Sequence, residues 1–339
     1  MGMEYSDLMK LASGHVEARI VQAAVELGIF ESIGSQALEA ASVANSLDLE
    51  PRATELMLNA LTALKLLRKH DEQFSLTEVS AKYLKRDAPG YLGGMIRFET
   101  SLWHCWTSLT EAIRSGRPVR LPNMYQDNPK ETAIFIDAMD TLVKARGDAE
   151  IMAGAFDWDN APELLDVGSG PATYPISLCQ RFFNLRATIF DLPETIKLTK
   201  EYVREAGLSS RIRLISGDYR VDEIRGSYDV IFLSNIIHGE SFEVNQRLMV
   251  KLSSVLKPGG SLIVKDHILD STRAKPPVGA VFSLLMLLTT DAGRCYAVDE
   301  VKAWMSAAGL MHISQIDLPA PLNSSLIIAT KQESIENSC

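Results

Sequence analysis

The chain has 339 residues, 46% of them hydrophobic and 23% charged, and 43 Asp and Glu against 34 Lys and Arg leave a formal net charge of −9. That length has room for two domains of roughly 100–200 residues, each with a core of its own, and the composition is that of an ordinary globular protein. The acidic balance excludes a protein that works by neutralising nucleic-acid phosphates, a task that takes a basic face. Cys105, Cys179, Cys295 and Cys339 stand far apart, with no CxxC pair and no Cys/His cluster. Neither a disulfide framework nor a metal site is expected, and a reducing cytoplasm fits. No secretory leader is read at the N-terminus. The longest apolar run, "VGAVFSLLMLL" at 278–288, is short of the ~20 residues that span a bilayer and reads as a buried helix.

The first hundred residues read as helices. In "HVEARIVQAAVELGIF", Val16, Ile20, Ala24 and Leu27 recur at steps of four and three, the stripe of an amphipathic helix. Two further helices flank a turn around Leu47 to Glu50, with Pro51 placed to begin the second. "RKHDEQFSLT" then reads as a small hairpin, and together these make a winged helix. Asp48, Glu50 and Glu55 oppose only Arg52 and Lys65 where a recognition helix would need cations. A packing or dimerisation module is therefore expected over 1–110, with no nucleic acid as partner. Residues 111–150 read as a helical connection punctuated by "RSGRPVRLPN".

From 151 to 332 the character changes. "ELLDVG", "RATIFD", "RIRLIS", "YDVIFLS" and "SLIVKD" alternate with helical stretches, which predicts a parallel sheet covered on both faces. "MHISQIDL" and "SSLIIAT" suggest two final strands, one of them antiparallel, before a polar tail over 333–339.

Ligands of open α/β sheets bind beyond the carboxyl ends of the strands. "LLDVGSGPATYP" runs a strand into Gly168 and Gly170, whose missing Cβ atoms let the backbone approach a ligand. Asp191 ends the next strand, where a carboxylate can accept both hydroxyl hydrogens of a ribose. A dinucleotide fingerprint wants a third glycine where Thr173 stands, and Asp166 would repel a pyrophosphate but favour an amino group or a sulfonium. A nucleoside is thus preferred to NAD. "SGDY" adds Asp218, able to accept from an adenine amine, and Tyr219, able to cover a base; a plain turn acid is the alternative for Asp218.

"LLDVGSG", "IFDLP", "SGDY", "FLSNIIHGES" and "LKPGGSLIVKD", with the winged helix before them, resemble the dimeric small-molecule O-methyltransferases of plant phenolic and bacterial secondary metabolism. The resemblance runs from about residue 12 to 330. It implies S-adenosylmethionine as methyl donor, a Rossmann-like α/β fold with a seven-stranded sheet and a reversed last strand, and a homodimer built through the N-terminal domain. It implies cofactor contacts at Gly168, Asp191, Leu192, Asp218 and Tyr219, flanked by Asp166 and Gly170. Ser234 stands where many plant members carry lysine, and Ala172 where the family often has glycine.

Methyl transfer from a sulfonium is an in-line displacement that needs alignment and a reactive acceptor oxygen. A phenol, with its pKa near ~10, is mostly protonated at neutral pH, and a histidine is a fitting base. His238 matches the family's catalytic histidine; unaided by the resemblance, a strand-end histidine bonded to backbone is the plainer reading. Asp266 takes the place of one orienting glutamate and Cys295 that of the other. Asp266 can orient His238 as a buried carboxylate does in hydrolytic triads. Cys295 reads as structural rather than as a thiol activated by Arg294. His267 should point to the opposite face of its strand.

An acceptor pocket lined by Met95, Phe98, Trp103, Phe282, Leu285 and Met286 would suit a flat apolar molecule, although each is also a plausible core residue; the family resemblance implies that Met139 and Asp140 lie near both ligands. The leading expectation is O-methylation of a small aromatic or polycyclic metabolite. Transfer to N, S or C by placement alone, and a non-catalytic S-adenosylmethionine-binding regulator, are the alternatives.

Overall fold

Seven apolar runs between residues 163 and 331 become the strands of one sheet. The structure, a computed structural model, describes residues 2–333; Cys339 and the expected tail beyond Glu333 lie outside the described residues. The chain separates into two units, Met1–Leu102 with Asp137–Ala145, and Trp103–Ile136 with Arg146–Cys339.

The first unit holds helices α1 (Tyr5–Leu27), α2 (Ile29–Ile33), α3 (Ala40–Leu47), α4 (Pro51–Ala63), α5 (Glu78–Tyr83) and α6 (Gly93–Ser101). Strands β1 (Leu38–Glu39), β2 (Leu67–His70) and β3 (Gln73–Leu76) form a small antiparallel sheet, and β2–β3 is the expected hairpin. Pro51 opens α4, and the Glu50 carboxylate accepts from the Arg52 and Ala53 backbone N–H groups that the helix leaves unpaired. The core gathers Ala24, Phe30, Ile33, Leu58, Leu61 and Phe74. Only half of the α1 stripe joins it: Ile20 and Ala24 pack inward, whereas Val16 is 49% and Leu27 41% exposed. Tyr5, Leu8, Met9 and Leu11 are exposed as well.

The second unit starts with α7 (Trp103–Thr107) and α8 (Leu109–Ser115); α9 (Pro129–Arg146) carries the 137–145 segment of the first unit, and α10 (Asp148–Ala155) follows. Strands β4 (Glu163–Val167), β5 (Arg186–Asp191), β6 (Ile212–Ser216), β7 (Tyr228–Ser234), β8 (Leu256–Asp266), β9 (Leu310–Asp317) and β10 (Ser325–Lys331) form the sheet in the order β6–β5–β4–β7–β8–β10–β9. Only β10 is reversed, pairing antiparallel with both β8 and β9. The reversed strand is therefore one place inside the edge. Helices α11 (Thr173–Arg181), α12 (Pro193–Glu205), α13 (Phe242–Val255), α14 (Pro277–Thr289) and α15 (Val298–Ala307) complete the unit. The run expected as a buried helix is α14, buried along one face only, since Val281 is 60% exposed.

The chain fills one side of the sheet from β4 to β6 and then returns to β7, so strand order reverses between β4 and β7. A crevice opens at such a switch point, beyond the strand ends. Side chains alternate across it: Leu165, Val167, Ile231, Leu233, Leu262 and Val264 share one core, which leaves Asp166, Phe232 and Lys265 to the opposite face. There, fully buried Asp148 accepts two bonds from Arg146 (2.6 and 3.0 Å) and one from the Tyr174 hydroxyl (2.9 Å), with Lys265 Nζ at 3.4 Å. Burial drives the Lys265 pKa down. Because a buried pair broken on one side leaves an uncompensated charge, Asp148→Asn is expected to lower the unfolding free energy by about 3 kcal/mol, measured by denaturant titration; an unchanged midpoint would show the cluster to be dispensable.

Candidate active site

The loop from β4 to α11 is shaped by close approach. Gly168 has φ +71°, and a Cβ there would lie 2.2 Å from Ile236 Cδ1, so both conformation and space exclude a side chain. Gly170 N–H donates to Asp191 Oδ2 (2.7 Å), and Gly170 C=O accepts from Thr199 Oγ1 (2.6 Å). The Leu192 N–H donates to the other Asp191 oxygen (2.7 Å). Ala172 also has a positive φ, +63°, one residue before α11.

Asp166 is buried at the end of β4. Its Oδ2 accepts from Ser169 Oγ (2.7 Å), while Oδ1 has no hydrogen-bond partner among the described residues. Burial, with the Asp191 charge adding to it, pushes Asp166 up to about 7. Asp191 is pushed up to about 6 by burial, against the pull of the Gly170 and Leu192 N–H groups.

The next strand ends are more fully engaged than their sequence suggests. Asp218 takes the Arg220 guanidinium on both oxygens (2.8–3.1 Å), and this bonding holds its carboxyl below the usual range. Tyr219 donates its hydroxyl to Glu240 Oε1 (2.7 Å), and Lys251 Nζ ties down the Tyr219 C=O (2.6 Å). Ser234 ends β7 in register with Lys265.

His238 lies in the short helical turn Ile237–Gly239 just beyond β7. Its Nδ1 is 2.8 Å from Asp266 Oδ1. A carboxylate oxygen only accepts, so Nδ1 carries a proton, and in the neutral ring Nε2 is the atom with the lone pair. Burial pushes the Asp266 pKa up, but His238, His267 and the His267 N–H outweigh it, and the net shift is downward. Cys295 is buried, its thiol pushed up to about 12 by burial and by the Asp266 charge. That is the opposite of an activated thiol.

His267 departs from expectation. Its ring does not turn away from the site: it packs on Phe282 (centroids 5.1 Å apart), the same ring that His238 meets edge-on at 4.9 Å. Alternation fails because β8 ends at Asp266, so His267 no longer obeys the pleat. Phe282 and Met286 lie one turn apart on α14, and half-buried Trp103 begins α7. Met95, Phe98 and Met139 belong to the first unit, where Phe98 is buried, Met95 N–H donates to Thr141 Oγ1 (3.2 Å) and buried Asp140 pairs with Lys144 (2.7 Å). Sequence reasoning missed the Tyr219–Glu240 bond, the Asp148 cluster and the position of His267. Only Glu240, inside the quoted "HGES", gave a signal.

A family profile for the O-methyltransferase domain matches residues 106–311, and one for the O-methyltransferase dimerisation domain matches residues 9–86. The chain belongs to the O-methyltransferase family. This O-methyltransferase is 30% identical over 323 residues, 93% of its length and 94% of the relative's, to the tetracenomycin polyketide synthesis 8-O-methyl transferase TcmO of Streptomyces glaucescens. It is 27% identical, over 96% of its length and 94% of the relative's, to the 3-hydroxy-5-methyl-1-naphthoate 3-O-methyltransferase of Streptomyces sahachiroi. The fold is shared with human N-acetylserotonin methyltransferase in complex with S-adenosylmethionine, at a TM-score of 0.86 and 24% identity over 98% of this chain and all of that one.

S-adenosylmethionine is the methyl donor of this O-methyltransferase, and the loop fits it. A buried carboxylate oxygen without a partner among the described residues suits the cofactor's ammonium. Only the ionised carboxylate attracts a cation. With Asp166 pushed up to about 7, S-adenosylhomocysteine affinity is expected to weaken as pH falls through that value, approaching about tenfold per pH unit below it, and Asp191 steepens the loss below about 6. Calorimetric titration of the wild type between pH 8 and 5.5, with Asp166→Asn as the flatter control, checks this; a level wild-type profile would refute it.

Proposed function

We propose that this enzyme methylates a hydroxyl of a small aromatic or polycyclic metabolite, with His238 as general base. The observation that carries the reading is the 2.8 Å contact between His238 Nδ1 and the buried, ionised Asp266. It leaves Nε2 as the basic atom and gives the imidazolium that forms a counter-charge. The acceptor class is supported by the polyketide and naphthoate acted on by the two relatives, and by the aromatic and Met side chains of α14, Phe282 and Met286. Trp103, in the same unit, is a further proposed acceptor contact.

Bound S-adenosylmethionine supplies an electrophilic sulfonium methyl. In this reading Asp166 and the Gly168–Gly170 backbone hold its aminoacyl end, Asp191 and the Leu192 turn its ribose, and Asp218 and Tyr219 its adenine, with Ser234 alongside. Glu240 keeps the Tyr219 ring in place through their bond. Since Arg220 already occupies both Asp218 oxygens, an adenine amine would use a remaining lone pair. His238 takes the acceptor's proton as the oxygen attacks.

Removing the base should cost turnover and spare the cofactor. His238→Ala is expected to lower kcat by about a hundredfold or more while S-adenosylhomocysteine affinity holds, measured as transfer of labelled methyl into a panel of phenols, naphthols and indoles. Wild-type turnover in the variant would overturn the base and favour N, S or C transfer by placement. Binding without any transfer would favour a regulator.

The oligomer follows from the same reading. The dimerisation domain over residues 9–86 and the exposed Leu8, Met9, Leu11 and Val16 of α1 support a homodimer. No helix among the described residues is long and apolar enough to cross a membrane, and the buried free thiols of Cys105, Cys179 and Cys295 suit a reducing cytoplasm. Light scattering on the purified chain is expected to give twice the chain mass; a monomer at micromolar concentration would contradict it.

A further inference from the structure

Two imidazoles, not one, stand on the Phe282 ring. His238 meets it at 4.9 Å and 85°, and His267 at 5.1 Å and 57°. The α14 face that carries Phe282 closes directly onto His267, for a Cβ built at Gly279 would lie 3.5 Å from the His267 Cβ. Gly279, Phe282 and Met286 fall at steps of three and four along that helix, on one face.

The two rings are fixed in the same way. His267 Nδ1 is 3.0 Å from the Asn323 C=O. A carbonyl oxygen only accepts, so Nδ1 carries the proton and Nε2 keeps a lone pair. The His267 backbone N–H donates to Asp266 Oδ1 (2.7 Å), the oxygen that also receives His238 Nδ1. One carboxylate thus sets the position of both residues. Burial pushes the His267 pKa down, which keeps the ring neutral near pH 7. The bonds that hold His267 engage Nδ1 and the backbone N–H rather than Nε2, and the residue is half-buried rather than sealed in the core.

We propose that His267 is a specificity-determining residue that accepts, at Nε2, a hydrogen bond from a second donor on the acceptor, so that the preferred acceptors are aromatic compounds with two hydroxyls rather than one. This rests on the reading of an aromatic hydroxyl acceptor deprotonated at His238. A neutral imidazole nitrogen selects a donor and does not attract a carboxylate, whereas a polar atom left unpaired in the bound complex penalises the analogue that lacks the donor. His238 works on the hydroxyl that becomes methylated; His267 reads its neighbour and transfers no proton.

The test pairs mono- and dihydroxylated members of the same ring systems, naphthalenes, anthraquinones and indoles, as acceptors for labelled methyl from S-adenosylmethionine. Wild type is expected to favour the diol of each pair in kcat/KM by about tenfold or more. His267→Phe, which keeps an aromatic ring against Phe282 but removes the acceptor nitrogen, should bring the diol down toward the mono-ol, chiefly through KM. His267→Gln, which restores an acceptor atom, should recover part of the preference. S-adenosylhomocysteine affinity, measured in each variant, shows whether the site is folded. A wild type that methylates both members of each pair equally, or a preference that survives in His267→Phe, would overturn the role of His267 and leave the hydroxyl reading standing. Transfer to amines alone, or to no member of the panel, would overturn both.

Discussion

The Asp266 carboxylate, buried at the last residue of β8, accepts through one oxygen from His238 Nδ1 and from the His267 backbone N–H. Taking a charge out of water is expensive unless it is paired and hydrogen-bonded, and these donors outweigh the cost enough to hold the group ionised. A charge so placed dictates the rest of the site. It fixes the His238 tautomer, directs Nε2 away from the carboxylate and, in the proposed mechanism, would provide the counter-charge for the imidazolium formed at His238. Cys295, buried with its thiol held protonated, adds no second charge beside Asp266.

The sheet brings this pair to the cofactor loop. Because strand order reverses between β4 and β7, the loops after these strands diverge over a crevice; Asp166 with its glycines rises on one side and His238 on the other. Ile236, two residues before His238, fills the space that a Cβ at Gly168 would need, so the glycine loop and the His238 turn are packed against each other. The buried Arg146–Asp148–Lys265 cluster ties Tyr174, at the start of α11, to the residue just before Asp266. A displacement of either loop would be felt by the other.

Much of this was legible in the residues. Short β-rich runs alternating with helical stretches marked the strands of the large sheet, and Pro51 marked the start of α4, since these signals act over a few residues. The glycine loop and Asp191 could be named because each sits at a strand end, whereas the His238–Asp266 pair was named from the family resemblance. Contacts between distant segments could not be read. Asp148, Tyr174 and Lys265 look like unrelated residues until packing joins them. Asp218 read as a free carboxylate because nothing in "SGDY" reveals that Arg220 folds back on it. The His267 expectation failed on a boundary: alternation holds within a strand, and β8 stops one residue earlier. The solvent-facing half of the α1 stripe has a similar lesson, for an amphipathic pattern shows that a face is to be covered without showing what covers it.

The account stands or falls on the Asp266 charge acting through His238, and turnover of Asp266→Asn tests it most directly. The amide is nearly the same size but cannot accept from Nδ1 as a charged group or balance the imidazolium. With saturating S-adenosylmethionine and an acceptor that the wild type methylates, kcat is expected to fall by about a hundredfold or more while S-adenosylhomocysteine affinity is retained. A variant that keeps kcat within about threefold of wild type would mean that the enzyme works by placement and that the His238–Asp266 pair is structural.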